Sequence, residues 1–136
     1  MARSELAPVD SMTDTTRLNG IGLLEGLQAG TAWLQRHINA INALNVFPVP
    51  DGDTGTNMSL TMKAALAEVE DEHPTHIGQL ASTIAHGALM GARGNSGVIL
   101  SQILRGLAHA LEGKAEMDGG LLAQALSEGA STAYKG

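Results

Sequence analysis

Two carboxylates, Asp51 and Asp53, stand two residues apart in the run Asn45-Val46-Phe47-Pro48-Val49-Pro50-Asp51-Gly52-Asp53-Thr54-Gly55-Thr56-Asn57-Met58. Hard cations such as Mg²⁺ take oxygen ligands at near-octahedral geometry. Pro48 and Pro50 each remove a backbone donor and fix φ, so the acids are held before a metal binds. Asn45 and Asn57 flank them as further oxygen donors, which makes Asp51, Asp53 and Asn45 the candidate metal ligands. A helix N-terminus follows, with unsatisfied N–H groups and the positive end of its dipole. A metal bridging Asp51, Asp53 and a phosphate anchored at Gly55, Thr56 and Asn57 is chemically self-consistent. The competing reading is an ordinary Pro-Asp-Gly turn with solvated acids. The apolar residues ahead of the acids, Val46, Phe47 and Val49, predict a loop tucked against the core.

A second irregular run is Gly91-Ala92-Arg93-Gly94-Asn95-Ser96-Gly97. Its backbone N–H groups suit a phosphate or ribose, with Asn95 and Ser96 as side-chain donors. Its alternative is a flexible connection between helices. Arg93 pairs either with phosphate charge or with a surface acid. Met58 packs either on a base ring or in the core. Asn42 either orients the acidic loop or acts as a cap. No general base emerges among the histidines: His37 and His86 fall within helical patterns, His73 and His76 in a loop.

Three familiar loops are excluded. Counted from Asp51, a calcium EF-hand would need glycine where Thr56 stands and glutamate where Met62 stands. Neither glycine run continues into Lys-Ser or Lys-Thr, as a Walker A loop must. Gly91, Gly94 and Gly97 follow a helical pattern rather than a strand, which rules out a dinucleotide fingerprint.

The elements that must position these loops are helical. Leu27, Thr31, Leu34, Ile38 and Ile41 recur at spacings of three and four, predicting one long helix over 18–43. Gly20, Gly22, Gly26 and Gly30 weaken its first half; they either admit close helix approach or mark a later start. Thr56 or Asn57 is expected to cap a second helix with Met58, Met62, Leu66 and Val69 inward. A polar loop over 71–75 leads to a third helix over 76–90, facing inward through Ile77, Leu80, Ile84 and Ala88. Asn95 or Ser96 is expected to cap a fourth, with Ile99, Ile103, Leu107 and Leu111 on its face and Gly113 ending it. Asp118 caps a fifth over 121–134. No strand pattern and no solenoid repeat is present.

Composition agrees. The 136 residues suit one domain, with 43% hydrophobic and 16% charged residues, enough for a packed core. Trp33, Phe47 and Tyr134 are the only aromatic residues, so the core must be aliphatic, as in packed helices. The formal charge is −6 and no basic cluster exists, which argues against nucleic acid. Absence of cysteine excludes disulfides and thiolate metal sites and fits a reducing cytoplasm. No apolar stretch reaches the ~20 residues needed to span a membrane. Residues 1–17 read as a flexible polar tail and 18–136 as the domain.

The acidic run, extended back to Ile41, resembles the signature of the DhaL-type domain, the nucleotide-binding domain of dihydroxyacetone kinases and bacterial fatty acid kinases. The run from Gly87 to Gln102 resembles its second signature. The resemblance reaches from about Leu18 to the chain end. It implies an antiparallel all-α barrel of eight helices, of which about five are legible here. It implies ATP or ADP held through two Mg²⁺ ions, with Asp51 and Asp53 as metal ligands and as the residues catalysis depends on. The third acidic ligand of the dihydroxyacetone kinases falls near Asn45. Thr56, Asn57 and Met58 fall at phosphate and adenine contacts, and Asn95, Ser96 and Gly97 at the second loop beside Arg93 and Gly94. The Asn-Val-Phe-Pro-Val-Pro form is more similar to the fatty acid kinase branch. There a separate binding protein carries the fatty acid that becomes an acyl phosphate; the other branch phosphorylates dihydroxyacetone held by another subunit. A partial barrel is expected to expose an apolar face or to cover it by self-association, as in a homodimer.

Overall fold

The computed structural model describes residues 16–46, 50–70 and 74–136. Among them the elements run β1 (Arg17–Leu18), α1 (Gly20–Arg36), α2 (Ile38–Ala43), α3 (Thr54–Ala67), α4 (Ile77–Met90), α5 (Gly94–Ala110), β2 (Met117–Asp118) and α6 (Gly119–Lys135). The all-α reading holds, with six helices among the described residues.

The single long first helix is a correction: it breaks at His37. The His37 ring stacks beside Trp33 at 4.5 Å between centroids. Its Nδ1 lies 2.9 Å from the Trp33 carbonyl, which can only accept, so Nδ1 carries the proton. That carbonyl is the one the His37 backbone N–H would use in a continuous helix. The N–H bonds instead to the Leu34 carbonyl at 3.0 Å, tightening the last turn of α1. A local side chain thus competes with the helix ladder and separates α2 from α1.

Two further corrections concern ends. α3 begins at Thr54, with Asp53 rather than Thr56 or Asn57 at its N-cap, and α5 begins at Gly94, ahead of Asn95 and Ser96. The expected absence of strands also fails in a small way. β1 pairs antiparallel with β2, Arg17 opposite Asp118 and Leu18 opposite Met117. Arg17, the last residue of the segment read as a tail, also reaches Glu116 at 3.4 Å. Residues 1–15 of that segment lie outside the described residues.

The core has two parts. Leu24 of α1, Met62 and Ala65 of α3, Val69, Leu80, Ile84, Ala85 and Ala88 of α4 and Leu104 of α5 form the larger. Ile77, Ala81, Leu111, Met117 and Ala125 form the second, which joins α4 to α6. The predicted inward face of α4 is buried throughout. The predicted face of α5 holds at its C-terminal end, where Leu111 is fully buried and Leu107 packs on the core, but fails at Ile99, which is exposed while Gly97, Ser101, Leu104 and Gly106 are buried. Small residues win that face because α6 approaches closely. A Cβ on Gly106 would stand 2.7 Å from the Cα of Gly129, and one on Gly129 would stand 2.8 Å from the Ile103 carbonyl.

α4 runs antiparallel to both α3 and α5. Gly78, at its start, packs on Leu111 and Gly113 just past the end of α5, and going back along α4 from Gly91 to Gly87 the contacts move forward from Ala64 to Glu68, at the end of α3. The antiparallel arrangement brings the first turns of α3 and α5 to the same end of the bundle, where the two irregular loops lie. Of the early glycines, Gly20 meets the Pro74 carbonyl, whereas Gly26 and Gly30 face open space. Large hydrophobics do remain exposed, among them Trp33, Leu89, Met90, Val98, Ile99 and Leu126.

Candidate functional site: the paired N-termini of α3 and α5

Gly55 is where α2 meets α3. A Cβ there would stand 3.0 Å from the Ile38 carbonyl and 3.1 Å from Asn42 Oδ1, tight enough that a larger residue would push α2 away by a few tenths of an ångström. Asn42, the penultimate residue of α2, uses that closeness. Its Oδ1 accepts from the N–H groups of Gly55 at 2.8 Å and Thr56 at 3.2 Å. Its Nδ2 donates to Thr56 Oγ1 at 3.0 Å. Asn42 therefore caps α3 from another helix and takes the two donors that an N-cap side chain ordinarily satisfies. The Asn57 N–H donates to the Asp53 carbonyl at 2.9 Å. The backbone donors of Gly55, Thr56 and Asn57, expected to anchor phosphate, thus have partners within the chain.

The acidic loop is set by a second asparagine. The Asn45 Oδ1 accepts from the Asp53 N–H at 2.9 Å. Gly52 between the acids has φ +66°, a left-handed conformation that glycine adopts without strain. Asp51 and Asp53 are both exposed, and no cation of the described residues is in ion-pair range of either. The Asp53 carboxylate makes no capping bond, so its oxygens are not spent on α3. Val46 is 67% exposed, which corrects the expectation that it tucks against the core; Phe47, Pro48 and Val49 lie outside the described residues. No group of three or more His, Asp or Glu side chains gathers into a metal cage among the described residues. The donor set fits Mg²⁺ all the same, because that ion commonly takes one or two carboxylates plus water and substrate phosphate.

The glycine loop is bolted to the acidic loop. Ser96 Oγ donates to the Thr54 carbonyl at 3.2 Å. Thr61, fully buried, links both segments: its hydroxyl donates to the Asn57 carbonyl at 2.8 Å and accepts from the Arg93 N–H at 3.1 Å. Gly94 has φ +65°, and the Asn57 side-chain amide fills the place where its Cβ would be. Gly97 lies against the Thr61 hydroxyl. Arg93 is exposed at the N-cap of α5 and contributes no capping bond. Asn95 is exposed and Met58 half-buried.

The helix starts differ in one respect that matters for anions. Asn19 caps α1 through Gly22, Asp118 caps α6 through Leu121, and Asn42 caps α3. α4 is capped by backbone, with the Ile77 and Gly78 N–H groups on the carbonyls of Ala115 and Lys114. Among these five long helices only α5 starts without a side-chain or cross-chain cap in the described residues. Its N–H groups at Gly94, Asn95 and Ser96 have no partner among the described residues, and Ser96 is tied to Thr54, the neighbour of Asp53; a bound anion would satisfy them.

A family model for the DAK2 domain matches residues 48–136. The chain belongs to the DAK2 domain family. That family comprises nucleotide-binding, kinase-associated domains of the DhaL type, as the two signatures led one to expect. Uncharacterized proteins of Staphylococcus aureus strains USA300 and NCTC 8325 / PS 47 are 46% identical over 120 residues, covering 88% of this chain. The aligned segment spans 22% of each of those relatives, so this DAK2 segment corresponds to about a fifth of their length. No described helix is long and apolar enough to cross a membrane.

Reading by residue type found the acids and both glycine loops of the DAK2 domain. It missed Thr61, whose signal was present: a hydroxyl one residue before the inward Met62 and four residues after Asn57. It left Asn42 open between orienting the loop and acting as a cap; the structure shows it capping α3, while Asn45 holds the Asp53 N–H.

Proposed function

We propose that the end of the bundle formed by the first turns of α3 and α5 binds Mg-ATP and presents its γ-phosphate to an acceptor held elsewhere. The observation that carries this reading is the uncapped start of α5, tied by Ser96 to the segment that bears two exposed carboxylates with no ion-pair partner among the described residues. Anion-binding donors and metal-binding acids on one face are the parts that phosphoryl transfer needs, since its catalysis is positioning and charge neutralisation. Asp51 and Asp53 would hold Mg²⁺, with Asn45 at the edge of the set, and the bound ion would neutralise phosphate charge. The N–H groups of Gly94, Asn95 and Ser96, the Asn95 side chain and the Arg93 guanidinium would bind phosphate oxygens. Thr56 adds a hydroxyl from the α3 side. Gly97 allows α5 to lie close enough to α3 for both sets to face one ligand.

In the transfer, an acceptor oxygen attacks the γ-phosphorus, the bond to the β-phosphate oxygen breaks and ADP leaves. The favoured acceptor is a fatty acid carboxylate, giving an acyl phosphate in the cytoplasm. The support is the Asn45-to-Pro50 form of the acidic run, and it brings with it a separate fatty-acid-binding protein as partner. Dihydroxyacetone on a partner subunit is the alternative acceptor. The exposed Leu89, Met90, Val98 and Ile99 beside the glycine loop suit an apolar partner surface or a second copy of the chain. A nucleotide kept without turnover would mark a non-catalytic module instead.

The test is calorimetric titration of ATP with and without Mg²⁺. Binding that requires Mg²⁺ and is lost in Asp51→Asn, Asp53→Asn is the expected result. A folded chain that binds no nucleotide, or binds it equally without the acids, would defeat the reading.

A further inference from the structure

Asn42 does more than close a helix. Its amide orientation is fixed by its partners, because the Gly55 and Thr56 N–H groups demand the oxygen on their side. The Nδ2 must then face Thr56 Oγ1, and the Thr56 hydroxyl accepts that bond at 3.0 Å. A hydroxyl has one proton to give and two lone pairs. With a lone pair taken by Asn42, the proton of this exposed side chain is left to donate outward, and no acceptor among the described residues takes it. Asn42 lies ahead of the segment that the family model matches.

We infer that Asn42 is a positioning residue that sets the Thr56 hydroxyl as a donor toward a phosphate oxygen of the nucleotide, while its own oxygen keeps the α3 backbone donors away from that phosphate. The inference rests on the Mg-ATP reading above. Capping alone would be served as well by aspartate, whose oxygens accept from helix N-terminal N–H groups at least as readily. Orienting Thr56 would not. A carboxylate has no proton to donate, so the Thr56 hydroxyl would turn inward and give its own proton to it. Asn42→Asp therefore separates the two roles.

The full chain is titrated with Mg-ATP, and each variant is melted thermally. Asn42→Asp is expected to melt at or above the wild-type temperature yet bind Mg-ATP roughly tenfold or more weakly, the loss of one hydrogen bond to a charged group. Thr56→Val is expected to lose a similar factor, and Thr56→Ser to keep wild-type affinity. Added to Thr56→Val, Asn42→Asp is expected to cost little more. Four results overturn the inference while leaving the nucleotide reading standing. Wild-type affinity in Asn42→Asp does so, as does a lowered melting temperature for that variant. Wild-type affinity in Thr56→Val does so as well. A full additional loss in the double variant would assign the effect to the new charge instead. Wild-type chain that is folded but binds no Mg-ATP overturns the nucleotide reading itself and the inference with it.

Discussion

The hydroxyl of Ser96 donates to the backbone carbonyl of Thr54 across a gap of 42 residues in sequence, at 3.2 Å. That bond fastens the first turn of α5 to the first turn of α3. Thr54 is the residue after Asp53, so the bond also fixes how far the acids stand from the α5 donors. Ser96→Ala removes the bond without adding bulk. Stability is expected to fall by about 1 kcal/mol, the usual net worth of such a bond. Mg-ATP affinity should fall by more than that figure implies, because the loops would no longer be preorganised. Paired thermal melts and titrations check both.

Replacing the acids should leave the fold alone. Asp51 and Asp53 are exposed, and the Asp53 side chain makes no cap to α3. The Asp51→Asn, Asp53→Asn variant is therefore expected to keep its stability within about 0.5 kcal/mol, as surface substitutions do. Circular dichroism melts measure this independently of ligand. A large loss would show that the carboxylates hold the loop rather than wait for a ligand.

The α5–α6 contact depends on absent side chains. Gly106→Ala would drive a methyl against the Glu128 carbonyl, the Thr132 hydroxyl and the Gly129 backbone. Helix propensity favours alanine by up to about 1 kcal/mol. Overpacking costs typically 1–3 kcal/mol, and here backbone rather than a flexible side chain must yield. Net destabilisation is expected, read as a lower urea midpoint. An unchanged midpoint would mean that α6 can shift outward freely.

Asp118 is both the N-cap of α6 and the last residue of β2. Its Oδ1 accepts from the Leu121 N–H at 2.8 Å. Asp118→Ala should cost about 1 kcal/mol through the lost cap. Asp118→Asn, which keeps an acceptor oxygen, should recover most of it. Denaturant titration of the two variants distinguishes a cap from a generic effect of removing charge.

Much of this was legible in the residues because local rules and tertiary packing agreed. α4 alternates Ile77, Leu80, Ile84 and Ala88 at helical spacing, and all four are buried. Asp118 is followed by a helix and by no competing cap, so its role was plain. Where packing chose small residues, hydrophobicity misled. Ile99 fits the helical period of α5, but Gly97 and Gly106 allow closer approach of α3 and α6, and they turn Ile99 outward. The break at His37 depends on a ring bonding to a carbonyl four residues back, which no hydrophobic period encodes. The cap on α3 comes from Asn42, twelve residues before the helix begins. The local candidates Thr56 and Asn57 were therefore read one turn too far along. The acids and glycine loops were found by residue type. Their shared end follows from antiparallel packing, which spacing alone does not convey.

The short β1–β2 pairing has a consequence for the order of assembly. Arg17 meets Asp118 and reaches toward Glu116, 99 positions along the chain. The start of α1 thus lacks this clasp until nearly the whole segment has left the ribosome. The α4–α5 hairpin, joined by a three-residue turn, has its contacts close in sequence and can form long before. Contacts near in sequence close cheaply and early. Pulse-labelling hydrogen exchange during refolding should therefore protect α4 and α5 first and the amides of β1 last. Synchronous protection would instead mean that the clasp belongs to the nucleus.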